Sequence, residues 1–206
     1  MQFKYYDTLS TLISGTVLLY VLSLALEWNI GDVNVVILLA VAYVLGYLLN
    51  AISALAERAY YFFMGGKPSE KLLTPPKTNR KGERRNYTGF GRIRFFEYEK
   101  AIKLLSGELH KEKPEPQEMF NKAMSYSNSD DKTRVPDFNA HYAFSRVILT
   151  LVIASSVILM TQYYNIWWAW VIAVGLILLA GRRCKERGYY YAREVLVEYI
   201  KAKENK

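Results

Sequence analysis

The chain has 206 residues, with 27 Lys and Arg against 19 Asp and Glu, a formal net charge of +8 and a single cysteine. One cysteine excludes an intramolecular disulfide, and with only two histidines beside it the ligand spacing of a zinc site is missing. The mean hydropathy of -0.01 would fit an ordinary globular domain, but it averages a strongly apolar half with a strongly polar one.

Four apolar segments, residues 8–26, 33–56, 147–165 and 166–181, each approach the roughly 20 residues that a bilayer core requires. They predict an all-α polytopic membrane protein in four parts: a first transmembrane hairpin (1–56), a basic cytosolic insert (57–143), a second transmembrane hairpin (144–181) and an amphipathic tail helix (182–206). The short joints at 27–32 and 162–165 contain no basic residue, so the positive-inside rule puts both termini and the insert in the cytoplasm.

In the first segment Ser23 and Ala25 have the spacing of a signal-cleavage site. Only Lys4 and Asp7 precede an apolar run longer than a signal core, which predicts a retained helix. The second segment repeats Ala42, Gly46, Asn50 and Ala54 at every fourth position, a stripe that predicts close helix packing and self-association. Asn50 then seeks a partner across that interface or, alternatively, lines a pore.

After Glu57-Arg58 an aromatic run leads to Gly65-Gly66, where helix must stop, and Pro68 and Pro75-Pro76 predict extended chain beyond it. The glycine pair before Lys67 lacks the spacing of a phosphate loop. The following stretch is strongly basic. Its residues Arg80, Lys81, Arg84, Arg85, Arg92 and Arg94 are candidates for contact with anionic lipid headgroups, at about 1 kcal/mol per charge. Tyr87 and Phe90 interleaved among them also suit single-stranded nucleic acid.

Further on, residues 94–106 predict an amphipathic helix built on Phe95, Tyr98, Ile102 and Leu105 and closed by Gly107. A second helix is expected at 118–126 and a loop at 125–132. The tail, 187–203, aligns Ala192, Val195, Leu196, Tyr199 and Ile200 on one face. That face packs on the middle region or a neighbouring subunit, or lies on the membrane. Strand alternation is absent from the sequence pattern.

The approach to the third span is the densest polar constellation. Pro136 suits the first turn of a helix. Helical spacing then groups Asn139, Tyr142 and Arg146, while Asp137 and His141 stand one turn apart. Asn139, His141, Tyr142 and Arg146 thus form a collar, read either as an anchor in which Arg146 snorkels to headgroups or as a functional face at the cytoplasmic mouth of an oligomer. At the far end of the last two spans Tyr163, Tyr164, Trp167, Trp168 and Trp170 form an interfacial belt.

The segment from Arg134 to His141, with six residues between, resembles the Arg-to-His signature of the HEPN ribonuclease superfamily; the resemblance implies Arg134 and His141 as residues acting on an RNA backbone. The order of two spans, basic insert and two spans, with Gly65-Gly66-Lys67-Pro68-Ser69 and the Asn139-to-Arg146 collar, is similar to small bacterial membrane accessory proteins of antiviral islands, among them those of type VI CRISPR systems. This likeness implies a non-enzymatic role in defence at the bacterial inner membrane, without a cofactor, modulating a partner or membrane permeability. Implied partners are anionic lipids, further copies of the chain, and a defence effector protein or RNA. A membrane-tethered HEPN-like RNA-processing enzyme and a lipid-binding structural protein are the alternatives.

Overall fold

The computed structural model describes residues 2–63, 65–74, 93, 95–111, 114–127 and 133–204. Among them the chain is helical, with no strand: α1 Gln2–Ala25, α2 Val35–Leu55, α3 Glu57–Phe63, α4 Pro68–Leu72, α5 Tyr98–Leu109, α6 Pro116–Ser127, α7 Val135–Tyr163 and α8 Trp167–Glu204. Four of these, α1, α2, α7 and α8, are long and apolar enough to cross a bilayer. The protein is an all-α membrane protein with four candidate spanning helices.

Local chemistry sets the helix ends. Asn34 caps α2 by accepting from the Val36 N–H at 2.8 Å. Gly65 and Gly66 adopt φ of 81° and 107° after α3, a pair of left-handed conformations that only glycine takes without strain. Pro68 then opens the short helix α4, where extended chain was expected, because its fixed φ and missing N–H suit a first helical position. Helix α5 starts later than its pattern suggested and runs through Gly107 to end on His110, left-handed at φ 51°. One helical glycine costs only about 1 kcal/mol, too little to stop a helix whose far turn is still packed. Pro136 sits in the first turn of α7. The fourth span and the tail are not separate elements. They form the single 38-residue α8, since no proline interrupts residues 167–204.

The chain divides into two compact units. The first comprises Met1–Tyr60 and Ala143–Cys184. In it α1 and α2 cross at glycine: a Cβ added at Gly46 would fall inside the Thr11 carbonyl, and one at Gly15 inside that of Ala42. The α2 residues buried are Ala42, Gly46, Leu49 and Ser53. Of the every-fourth stripe, Ala42 and Gly46 belong to this seam, while Asn50 and Ala54 are exposed in the single chain. At 3.6 residues per turn each four-residue step drifts by about 40°, so a straight seam must alternate steps of four and three. Buried Ser14 and Ser53 return their hydroxyls to carbonyls of their own helix, Thr11 at 3.0 Å and Asn50 at 2.8 Å. Beyond the crossing, Leu49 packs with Val147 and Leu151 of α7.

The second unit comprises Tyr61–Tyr142 and Lys185–Lys206. Its core joins Leu72, Leu73, Ile93 and Val135 to Ala101 and Leu105 of α5 and Met119, Phe120 and Ala123 of α6. Against these lies the predicted tail face, Ala192, Val195, Leu196, Tyr199 and Ile200, every member 2% exposed or less. The tail therefore packs on the middle region. Burying Val195, Leu196 and Ile200 contributes about 1.5–3 kcal/mol each. Its end is held by ion pairs of Lys203 with Glu108 and Lys100 with Glu204. Lys203 also lies 4.1 Å from the centre of the Tyr126 ring, which meets Tyr199 edge-on at 5.6 Å.

Candidate functional site

Helix α3 begins directly after α2, and its first turn carries Glu57. The Glu57 carboxylate accepts from the Arg146 guanidinium of α7, an ion pair whose side chains are 35% and 15% exposed. One turn further along each helix, the Tyr60 hydroxyl meets Thr150 Oγ1 at 2.8 Å. Thr150 donates its own proton to the Arg146 carbonyl at 2.9 Å, so Tyr60 is the donor of this second bond. Cys184, 3% exposed, is near enough to feel both members of the ion pair. Two polar rungs thus bind α3 to α7 at the end of an apolar helix group.

Such a pair has two sides energetically. The Arg146 side chain is largely buried, so losing Glu57 strands its charge at a cost above that of a surface pair. The partial exposure of Glu57 keeps a route open for competing ions or a partner's charge.

Arg146 is accordingly engaged with Glu57, a partner the sequence pattern did not supply. Tyr142, the next collar residue, is 5% exposed. Its hydroxyl bonds that of Tyr61, and its ring stacks on Tyr191 with centroids 6.0 Å apart. Tyr191 in turn donates to Met124 Sδ at 3.3 Å. Asn139 and His141 are exposed. Within the group of Asn139, Tyr142 and Arg146, one is exposed, one belongs to an aromatic core and one to an ion pair. A three-residue step turns about 60° round a helix, enough to carry Tyr142 from the exposed side to the buried one.

Arg134 lies just before α7, exposed, its guanidinium 5.4 Å from the centre of the Phe138 ring. His141 stands seven positions further on, about 10 Å along a helix axis. The candidates Arg80, Lys81, Arg84, Arg85, Arg92 and Arg94 lie outside the described residues. At the near edge of that stretch Lys67 donates to Gln117 Oε1 at 3.0 Å and pairs with Glu70 at 3.7 Å. Among the described residues no group of three His, Cys, Asp or Glu is placed to hold a metal ion.

Sequence reasoning missed Glu57, Tyr60, Thr150, Tyr61 and Tyr191. One signal was present for the first: a lone acid and a lone base, Glu57 and Arg146, each stand at the polar edge of an apolar segment. No protein-family model, curated protein or solved structure matches the chain.

Proposed function

We propose that this protein is a self-associating inner-membrane accessory or effector of bacterial antiviral defence, acting without catalysis by modulating a partner or membrane permeability. The observation that carries the reading is the double rung between α3 and α7, Glu57 with Arg146 and Tyr60 with Thr150. It works as a latch: a partner or anion competing for Arg146 releases α3, and the packing of the apolar helices changes in response. The absence of Lys and Arg from the joints at 27–32 and 162–165 supports cytoplasmic termini. The role in defence rests on the layout of spans and basic insert, and the broad apolar exposure of α2 and α8 leaves room for further copies as well as lipid.

The test is phage challenge and membrane depolarisation in cells carrying Arg146→Ala, Glu57→Ala or the exchanged pair Glu57→Arg/Arg146→Glu. Each single variant should lose protection and the exchange should recover part of it. Full protection by Arg146→Ala would refute the latch. RNA cleavage by the purified protein that vanishes with His141→Ala would replace the reading with the ribonuclease one.

A further inference from the structure

Within the first unit, helices α1, α7 and α8 enclose a cleft of about 480 Å³. Its walls are apolar side chains such as Val21, Leu151, Leu159 and Ile172, and it ends at Tyr163 and Trp168. On α7 the lining extends from Leu151 to Tyr163, about 18 Å at 1.5 Å per residue. One leaflet of hydrocarbon is about 15 Å deep, half of the bilayer core. Tyr163 closes α7 and Trp168 stands at the start of α8, so the aromatic end of the cleft coincides with the turn between spans, where such rings sit at headgroup level.

The cleft is open along one side, and its volume of about 480 Å³ over that length has room for one unbranched hydrocarbon chain but not for the full width of a helix. Its interior polarity agrees: Ser155 and Ser156 are the polar residues away from the aromatic end, and Ser155 Oγ is buried with no hydrogen-bond partner. Apart from these two hydroxyls, polar groups along a ligand would meet only apolar side chains there, so the body of the occupant is mostly hydrocarbon.

The head of the ligand is constrained by charge. Residues 26–34 and 160–170, which flank the turns at this end, include Glu27 and Asp32 but no Lys or Arg. An anionic headgroup would find no cation, whereas a zwitterionic one is neutral overall. We infer that the cleft between α1, α7 and α8 is a binding site for one acyl chain of a zwitterionic phospholipid from the leaflet at the α7–α8 turn. This is distinct from the anionic contact expected of the basic stretch.

The test uses full-length protein extracted in mild detergent from membranes containing a phospholipid with a photoactivatable acyl chain, in zwitterionic and anionic forms. After extensive detergent washing, native mass spectrometry should find about one zwitterionic lipid per chain, and crosslinks should map to Leu151, Ser155 or Leu159 and not to exposed Val157 or Leu178. Ser155→Phe and, separately, Ala169→Phe fill the cleft and should remove the retained lipid, while Leu178→Phe on an exposed face keeps it. The proposal is overturned if washed wild type carries no lipid, if the anionic form is retained equally, or if crosslinks fall evenly on exposed positions. Because the crosslink map needs no variant, it decides the matter even if both filled variants fail to fold.

Discussion

The glycine crossing of α1 and α2 makes a sharp demand on Gly46. Replacing its hydrogen with the single methyl of Gly46→Ala puts a carbon inside the Thr11 carbonyl, a backbone atom that no rotamer change moves aside. The two helices must separate, loosening Ala42 and Leu49 along the seam. Overpacking of this kind costs about 3 kcal/mol at the upper end of its usual range. Alanine recovers about 1 kcal/mol of helix propensity over glycine. A net loss of about 2 kcal/mol remains, roughly a 30-fold fall in the folding equilibrium constant. Titration with a denaturing detergent in mixed micelles, followed by helicity, measures it. Gly15→Ala should behave alike, whereas Gly175→Ala, with nothing within 4 Å of the added carbon, should be neutral or slightly stabilising. Gly46→Ala and Gly15→Ala unfolding at the wild-type detergent fraction would refute the close crossing.

Two further expectations concern orientation and the second unit. Cysteines at Asn29 and Asn165 should react with an impermeant thiol reagent from outside intact cells, while cysteines at Arg58 and Lys201 should not, in a background where native Cys184 is replaced by Ala. Cys184 itself is too buried to report a side, so these exposed positions carry the comparison. Tyr199→Ala removes a ring with no exposed surface from the core shared by α5, α6 and α8 and should destabilise that unit by about 3–5 kcal/mol. Amide hydrogen exchange should then accelerate in α5 and α6 and stay unchanged in α2; uniform exchange throughout would contradict the two-unit division.

What could be read from the sequence was whatever depends on nearest neighbours in the chain or on simple periodicity. The four spans declare themselves by length and hydropathy, and the tail face by spacing, because Ala192, Val195, Leu196, Tyr199 and Ile200 repeat with helical period. The seam on α2 was half legible. Ala42 and Gly46 are small, but its other members are a Leu and a Ser that a search for small residues passes over. The stop of α5 was misplaced because His110, not glycine, takes the left-handed position, aided by its backbone N–H bonding the Ser106 carbonyl. The Glu57–Arg146 rung joins residues 89 apart, and only the packing of α3 on α7 brings them together. Arg134 and His141 are both exposed, as residues at the polar edge of an apolar segment commonly are.

The core of the second unit is split in the chain: α5 and α6 are made first, and the tail face that covers them follows only after residues 143–184. During synthesis, Ala101, Leu105, Met119, Phe120 and Ala123 therefore emerge with their main apolar partner still untranslated. That partner is delivered at the end of α8, behind both later spans. Completion of this core thus requires that α8 has been made and that its last turns have reached the same side as α5 and α6. A chain whose fourth span failed to insert in the right sense would leave those side chains uncovered, a ready mark for chaperones and proteases. The order of segments ties completion of this core to synthesis of α8.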